Sequence, residues 1–312
     1  MEVSVVVPVH NEEKNLMLFY KELKPILISL KKSYEIIFVD DGSLDRSFEI
    51  LKNLAKNDKN ARLIKLKSNY GQTIALSAGI ESSKGNFIVT IDSDLQHDPA
   101  TIPKMLDLLE KGYDVVVARR IWKKRGLGKA FSSGFCNYLT RKIGGVKLKD
   151  SVSGFKAFKR EVAENIPIYG NMHRYFAVLA IWKGFRVTDI PTIVRPRKLG
   201  ISHYGISRLF LGFLDLLTIK FFISYSQKPS HLFGTAGFFT LLFGLLISLW
   251  LSMQKIFFNI SIGSRLPLFV LGILLIILGV FFWFFGLLAD MISYQAISAG
   301  KQKTYIIEKT VN

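Results

Sequence analysis

Two aspartates separated by a single residue follow a short apolar run in the first third of the chain. Asp92 and Asp94 come directly after Asn86–Ile91, and Gln96 lies two residues further on. The apolar run predicts a buried strand. Just beyond the end of that strand, carboxylates at positions i and i+2 can both approach one divalent cation. Such oxygen ligands, with the amide oxygen of Gln96, suit Mg²⁺ or Mn²⁺ that bridges phosphates. Ordinary turns are also rich in aspartate, so the strand-end position is what favours a metal site.

Two further polar groups follow apolar runs near the N-terminus. Asp40 and Asp41 follow Tyr34–Val39, and the segment Pro8–Glu12 ends the run Val3–Val9. Residues just after the aspartate pair can cap the next helix, but capping does not explain two consecutive carboxylates. A carboxylate there can accept a hydrogen bond from a base N–H or a ribose hydroxyl. Three strand ends would then present polar groups to one edge of a sheet. That arrangement is the outline of a nucleotide pocket.

Other nucleotide and metal sites lack their motifs. No G-x-G-x-x-G follows the first strand and no G-x-x-x-x-G-K-[ST] occurs, so dinucleotide-binding and P-loop folds are disfavoured. The five histidines show no H-E-x-x-H spacing, which argues against zinc. The single cysteine, Cys136, excludes an intrachain disulfide and any metal site built from cysteines.

The elements that must position these residues alternate between strand and helix. The predicted strands are Val3–Val9, Tyr34–Val39, Arg62–Leu66, Asn86–Ile91 and Tyr113–Val117, and the predicted helices are Glu12–Leu30, Asp45–Lys56, Gln72–Ser82 and Thr101–Lys111. This alternation predicts an α/β fold with a mostly parallel sheet and helices on both faces. Beyond it, the sequence predicts an edge strand at Ser153–Phe158, a helix at Met172–Lys183 and a strand at Arg186–Ile190.

Two windows near the C-terminus are apolar throughout. No charged residue occurs from Leu232 to Met253 or from Leu266 to Ala289, and each window can cross a bilayer core of about 30 Å as a helix. With 49% hydrophobic residues and a mean hydropathy of +0.28, a purely soluble protein is excluded. A charge-free hairpin of this kind indicates an anchor rather than a transporter, and it is a candidate surface for a homo-oligomer.

The net charge of +18 is concentrated in two stretches. Arg119–Lys149 has ten Lys or Arg and no acid, and Arg195–Lys228 has six with one acid. Because the second stretch adjoins the spans, these charges favour phospholipid headgroups over nucleic acid. Ile206–Ile223 has the pattern of an interfacial amphipathic helix, although a helix packed on the soluble domain has the same pattern. The loop between the spans has only two basic residues, which predicts that both termini are cytoplasmic.

These patterns together predict four segments. They are a cytoplasmic α/β domain at 1–205, an amphipathic juxtamembrane helix at 206–228, two transmembrane helices within 229–293 (about 232–253 and 267–289), and a cytoplasmic tail at 294–312. The protein is therefore expected to be a multi-pass protein of the cell membrane.

Six motifs occur in an order that is specific as a set. They are Pro8–Glu12, Val39–Ser43, Asn69–Gln72, Asp92–Pro99, Asp150–Phe155 and Arg197–Ser202. By these six motifs, the chain resembles the membrane-anchored family-two glycosyltransferases of the GT-A (Rossmann-like) fold. Within that family it is most similar to the polyprenyl-phosphate branch, which includes dolichyl-phosphate mannose synthase and the bactoprenyl-phosphate glucosyltransferases. One departure is His10, where the family usually has an aromatic residue. Another is Gly200–His203, which reads G-I-S-H where G-E-S-K is usual.

The resemblance implies roles for individual residues. It implies a nucleotide-sugar site formed by Pro8, Glu12, Asp41, Asp92, Ser93 and Arg119, and metal binding by Asp92, Asp94 and Gln96. Asp94 and Asp150 are then the catalytic residues, with Asp150 on the acceptor side as a base or as an orienting group. Arg197 and Lys198 contact the acceptor phosphate or the diphosphate. A loop acid that balances nearby lysines is the alternative for Asp150.

The function that the resemblance implies is inverting transfer of a hexose from a nucleotide-diphosphate sugar to a polyprenyl phosphate, undecaprenyl or dolichyl. The reaction would use Mg²⁺ or Mn²⁺ at the cytoplasmic membrane face, in cell-wall or glycan biosynthesis, with membrane lipid and no nucleic acid as partner. A processive polysaccharide synthase is disfavoured because no Q-x-x-R-W motif occurs. A transferase for another acceptor and a non-catalytic nucleotide-sugar-binding scaffold remain alternatives. The sequence leaves open the sugar, the uridine or guanosine donor and the polyprenol.

Overall fold

The computed structural model describes residues 1–122, 148, 150, 153–166, 172–195, 221 and 229–298. The chain divides into two compact units, Met1–Ile219 and Lys220–Asn312. The strands are β1 (Val3–Val9), β2 (Tyr34–Asp40), β3 (Ala61–Lys65), β4 (Phe87–Thr90), β5 (Val115–Trp122), β6 (Lys156–Lys159) and β7 (Val187–Val194). The helices are α1 (Leu16–Ser29), α2 (Ser47–Asn57), α3 (Gln72–Glu81), α4 (Ile102–Glu110), α5 (Arg160–Asn165), α6 (Phe176–Trp182), α7 (Pro229–Phe258) and α8 (Leu266–Ser298), with 3₁₀ turns at Pro99–Thr101, Met172–Tyr175 and Ile262–Arg265.

The strands of the first unit form one seven-stranded sheet in the order β3-β2-β1-β4-β6-β5-β7. All neighbours pair in parallel except β6, which is antiparallel to both β4 and β5. The α/β prediction is confirmed, and the five predicted N-terminal strands all occur, four of them within two residues of their predicted bounds. The last of them, β5, continues to Trp122.

The central strand β1 shows why helices cover both faces. Val5 and Val7 are fully buried in the core that includes Phe19 of α1, whereas Val6 faces α3. A Cβ at Gly79 of α3 would lie 2.3 Å from Cγ1 of Val6, so the glycine permits this close packing. A strand that is apolar on both faces must be sandwiched in this way.

The prediction of an edge strand at Ser153–Phe158 is wrong. Strand β6 begins at Lys156 and lies inside the sheet, where Phe158 pairs with Ile88 on one side and Val115 on the other. A four-residue strand with lysine at both ends looks like an edge. It is tolerated inside the sheet because Lys156 is buried towards the candidate site and Lys159 forms an ion pair of 2.8 Å with Asp114.

Later elements differ from their predictions only in extent. The predicted helix Met172–Lys183 is a 3₁₀ turn followed by α6, and the predicted strand Arg186–Ile190 continues to Val194 as the edge strand β7. The predicted amphipathic helix lies outside the described residues except for position 221.

The second unit contains two helices that are long and apolar enough to cross a membrane. Helices α7 and α8 extend beyond the predicted windows at both ends, most of all in α8, which reaches Ser298. A Cβ at Gly237 or at Gly244 would lie 2.8 Å from the carbonyl oxygen of Gly279 or Gly272, respectively. The two helices therefore pack through facing glycines, as small residues allow in membrane hairpins.

Candidate active site

Three adjacent strands, β2, β1 and β4, end at the same edge of the sheet. The backbone N–H of Asp41 donates to the carbonyl of Val9 at 2.8 Å, which joins the ends of β2 and β1. The segment from Asp92 to Gln96 begins two residues after the end of β4. The predicted convergence of three polar strand ends is confirmed.

Asp92 is held by a side-chain amide and by close packing. Nε2 of Gln72, the first residue of α3, donates to Oδ1 of Asp92 at 2.7 Å. A Cβ at Gly154 would lie 3.0 Å from Oδ2 of Asp92, so the loop before β6 leaves just enough room for this carboxylate. The carbonyl of Gly154 in turn accepts a hydrogen bond of 2.9 Å from the hydroxyl of Thr90.

Asp94 and Gln96 lie in a turn with an unusual backbone. Leu95 between them has φ = +61°, a left-handed conformation that is costly for a residue with a Cβ, and its side chain is buried. Oδ1 of Asp94 accepts from the backbone N–H of Gln96 at 3.1 Å. Burial of Leu95 holds the strained turn, and such strain is concentrated at functional sites.

The donor set fits a hard divalent cation that shares its coordination with a ligand. Asp92, Asp94 and Gln96 offer two carboxylates and an amide oxygen, which suits Mg²⁺ or Mn²⁺ completed by phosphate and water oxygens. Among the described residues, no group of three or more His, Cys, Asp or Glu side chains could hold a metal ion.

Asp41 is engaged by the loop after β3. Its two carboxylate oxygens accept from the backbone N–H groups of Tyr70 (2.7 Å) and Gly71 (2.8 Å). Gly42 has φ = +64°, and a Cβ there would lie 2.5 Å from backbone atoms of Ser68 and Asn69. Asp41 and Gly42 thus fix the Asn69–Gln72 motif beside the end of β2.

His10 is the third residue of the first motif, Pro8–Glu12. Its Nδ1 lies 2.8 Å from the carbonyl oxygen of Asp41, which can only accept, so Nδ1 carries the proton. Nε2 then accepts from the side-chain amides of Asn11 (3.2 Å) and Asn69 (3.1 Å). The ring is a hydrogen-bonded link between the first and third motifs.

The remaining predicted donor-site residues lie near the same edge. The carboxylate of Glu12 accepts from Nδ2 of Asn15 at 2.5 Å, and its backbone N–H donates to the hydroxyl of Ser47 at 2.9 Å. The hydroxyl of Ser93 lies 3.4 Å from the carbonyl oxygen of Pro8, which joins the first motif to the metal motif. These contacts tie the motifs of β1 and β4 together.

The consecutive residues Arg119 and Arg120 lie on opposite faces of β5, because side chains alternate along a strand. Nε of Arg119, the predicted phosphate-site residue, lies 3.8 Å from Oδ1 of Asp189 on β7. Arg120 instead forms a bidentate pair with the buried Asp150, with Nε–Oδ2 at 2.8 Å and Nη2–Oδ1 at 3.0 Å. Arg120 and Asp150 both interact electrostatically with Lys156 and His97, so Arg120, not Arg119, is the arginine near the aspartates after β4.

Three buried basic side chains lie beneath the strand ends, and the sequence analysis did not assign them. Burial lowers the pKa of His97 to about 4, of Lys156 to about 7 and of His173 to about 3. Asp92 and Asp150 counteract the effect on Lys156 because negative charges favour its charged form. Lys156 directly follows the Asp150–Phe155 motif, and that adjacency was the available signal.

Arg197 and Lys198 lie outside the described residues. Arg195, the last described residue before them, is tied to the metal motif, since its backbone N–H donates to the carbonyl of Gln96 at 2.9 Å. Its guanidinium pairs with Glu22 at 2.6 Å and with Asp98 at 3.3 Å. The chain therefore leaves β7 next to the loop that contains Asp94.

Residues 4–166 match the family model for glycosyl transferase family 2. The chain is 33% identical over 314 residues to dodecaprenyl-phosphate galacturonate synthase of Rhizobium johnstonii, covering 99% of this chain and 93% of that protein. It is 30% identical over 311 residues to undecaprenyl-phosphate 4-deoxy-4-formamido-L-arabinose transferase of Photorhabdus laumondii, covering 99% and 94%.

Among solved structures, the chain is similar to glucosyl-3-phosphoglycerate synthase from Mycobacterium tuberculosis. The complex of that protein with Mn²⁺, UDP-glucose and phosphoglyceric acid has a TM-score of 0.54 and 20% identity, covering 71% of this chain and 79% of that chain. A complex of the same protein with Mg²⁺ and UDP also has a TM-score of 0.54, with 21% identity and coverage of 73% and 82%. At this level of identity the similarity concerns the fold.

Proposed function

Because the chain belongs to glycosyl transferase family 2, we propose that it transfers a hexose, with inversion, from a nucleoside-diphosphate sugar to a polyprenyl phosphate. The observation that carries the proposal is that Asp41 follows β2, and Asp92 and Asp94 follow β4, at the same edge of the sheet on either side of β1. The full-length similarity to two transferases named for polyprenyl-phosphate acceptors, which includes the two apolar helices, supports a lipid acceptor.

On the donor side, the first motif and Asp41 would hold the nucleoside, and Asp92, Asp94 and Gln96 would hold Mg²⁺ or Mn²⁺ against the diphosphate. Ser93 would border the same site through its link to Pro8. The motif pattern implies a position near the phosphates for Arg119, whose side chain would have to turn from Asp189 to reach them. A divalent cation supplies positive charge that stabilises the departing diphosphate. The protein's own contribution is to keep its carboxylates in place through the amide of Gln72 and the packing of Gly154.

On the acceptor side, the nucleophile is a phosphate oxygen that is already ionised at neutral pH, so no strong base is needed. This oxygen forms a bond to the anomeric carbon as the bond from that carbon to the diphosphate oxygen breaks, and the nucleoside diphosphate leaves with the electron pair. Both carboxylate oxygens of Asp150 accept from Arg120. We therefore assign Asp150 an orienting role, in which it presents Arg120, whose Nη1 group is not part of this pair, to an acceptor phosphate.

The membrane part of the proposal rests on charge and composition. The two apolar helices would anchor the enzyme, with both termini and the catalytic domain in the cytoplasm. Arg197 and Lys198 would add cations for the acceptor phosphate or the diphosphate, and the basic residues nearby would favour anionic lipid.

A two-stage experiment tests the function. Thermal-shift measurements with Mn²⁺ and UDP-glucose, UDP-GlcNAc, UDP-galactose, UDP-galacturonate or GDP-mannose identify the donor, because a ligand that binds only the folded state raises the melting temperature. The radiolabelled donor is then incubated with undecaprenyl phosphate, dolichyl phosphate, diacylglycerol or no acceptor. We expect an organic-extractable product only with the lipid phosphates, from which mild acid releases the sugar. Transfer to diacylglycerol alone would refute the proposal.

A further inference from the structure

A buried lysine lies at the start of the inserted antiparallel strand. Lys156 is 4% exposed, and it sits in the ladder between Thr90 of β4 and Val117 of β5. Burying an ammonium group is unfavourable unless other groups compensate for its lost hydration. The compensation here comes from the candidate site, because Asp92 and Asp150 both interact with Lys156 electrostatically.

Among the described residues, the ammonium group has one direct hydrogen-bond partner besides these charges. Nζ of Lys156 donates a hydrogen bond to the backbone carbonyl of His173, in the 3₁₀ turn Met172–Tyr175. The ring of Phe176 lies 5.9 Å from the same Nζ, within the range of a cation–π contact. Lys156 therefore joins this turn to the middle of the sheet.

The turn is joined in its own right to the start of α3. The hydroxyl of Thr73 lies 2.7 Å from Nδ1 of His173. The neighbouring residue Gln72 donates from Nε2 to Oδ1 of Asp92 at 2.7 Å. Hydrogen bonds thus connect Asp92 to Lys156 by way of the start of α3 and the Met172–Tyr175 turn. Lys156 and Asp92 also interact electrostatically.

We propose that Lys156 is a positioning residue that holds the carboxylate of Asp92 in the orientation needed to bind a divalent cation together with the donor diphosphate. The inference rests on the proposed function, and it extends that function to a residue that touches neither ligand. Asp92 accepts from Gln72 and packs against Gly154, which lies two residues before Lys156, and it also interacts electrostatically with Lys156. Partners of this kind orient metal ligands, and their loss typically lowers metal affinity or activity about 10- to 100-fold.

A purely structural role for Lys156 makes a different prediction. If the side chain served only to anchor the Met172–Tyr175 turn, its loss would lower thermal stability and would change nucleotide binding equally with and without metal. The quantity that separates the two roles is the ratio of nucleotide affinity in Mn²⁺ to nucleotide affinity in EDTA. It is measured by calorimetry on the full-length protein in detergent, with UDP and GDP as probes.

Two substitutions of Lys156 and one matched control are needed. Lys156→Met keeps most of the apolar stem and removes the charge and the donor, whereas Lys156→Gln removes the charge but keeps a donor for the carbonyl of His173. Lys159→Met is the control, because it makes the same change at the other end of the same strand. It breaks a 2.8 Å ion pair with Asp114, which is not part of the Asp92–Gln96 segment.

We expect the Mn²⁺-dependent gain in nucleotide affinity to fall at least tenfold in both Lys156 variants and to stay unchanged in Lys159→Met. Should Lys156→Met fail to fold, Lys156→Gln alone decides. An unchanged affinity ratio in a folded Lys156→Gln variant would overturn the inference. A wild-type protein that shows no gain with Mn²⁺ would instead contradict the metal site of the proposed function, and the two failures are therefore distinguishable.

Discussion

Arg120 and Asp150 form a bidentate ion pair in which Nε and Nη2 of the arginine each donate to a different carboxylate oxygen, at 2.8 and 3.0 Å. The backbone N–H of Arg120 adds a third hydrogen bond, to Oδ2 of Asp150 at 3.2 Å. Asp150 is buried, so the pair is protected from much of the screening that weakens surface ion pairs. This geometry favours the proposed role of Asp150 as a support for Arg120 over that of an isolated base.

The first prediction concerns the coupling of this pair. If Asp150 acts through Arg120, the losses of kcat/KM in Asp150→Ala and Arg120→Ala should not add, and the double variant should be about as impaired as the worse single variant. Acceptor-dependent kcat/KM is measured for all four proteins. Additive losses, together with disappearance of the acidic limb of the pH–kcat profile in Asp150→Asn, would identify Asp150 as an independent base.

The second prediction concerns the metal-binding carboxylates. Asp94→Ala should abolish transfer and leave the protein folded and in the membrane, because Asp92 alone cannot hold the cation against the diphosphate. Asp107→Ala, which changes an exposed carboxylate of α4, is the control. Turnover should require Mg²⁺ or Mn²⁺, and full activity in excess EDTA contradicts the assignment.

The third prediction tests the packing around Asp92. In Gly154→Ala, the new methyl group would lie 3.0 Å from Oδ2 of Asp92, so the carboxylate must shift by a few tenths of an ångström. We expect the Mn²⁺ concentration for half-maximal activity to rise about tenfold. Gly234→Ala, where an added Cβ meets nothing within 4 Å, should leave it unchanged.

The strand ends that form the site were accessible from sequence because their signal is local. Val3–Val9 is β-branched at five of seven positions, and its strand has the predicted bounds. Asp92 and Asp41 could be placed at one edge because parallel strands end on the same side of a sheet. Their order along that edge follows once β2, β1 and β4 are neighbours.

The buried basic groups were not accessible in this way. Lys156 lies in a short strand whose position inside the sheet depends on pairing with β4 and β5, and no local pattern encodes that pairing. Arg119 and Arg120 are adjacent in the chain, and only the orientation of β5 decides which one meets Asp150. Such contacts depend on tertiary structure, which the periodicity of a single segment does not contain.

The fourth prediction concerns acid stability. Burial, with the charges of Lys156 and Arg174 acting in the same direction, lowers the pKa of His173 from 6.5 to about 3. The unfolded chain therefore takes up a proton at higher pH than the native protein, and the native state loses stability as the pH falls from 6.5 towards 3. The melting temperature of His173→Gln should fall less steeply over this range than that of wild type. The exposed His231→Gln serves as the control, and a slope that matches wild type in His173→Gln would contradict the prediction.

The fifth prediction concerns topology. Six basic residues in Arg195–Lys228 outnumber the two between the spans, which predicts that the loop between α7 and α8 lies outside the cell and both termini inside. In a Cys136→Ser background, Ser261→Cys places a thiol in the exposed loop before the 3₁₀ turn Ile262–Arg265, whereas Asn312→Cys places one at the C-terminus. An impermeant thiol reagent added to intact cells should label Ser261→Cys and leave Asn312→Cys unlabelled until the cells are lysed. Labelling of Asn312→Cys in intact cells would show that the topology is the reverse of the predicted one. The catalytic domain would then face away from the cytoplasmic pool of nucleotide sugars.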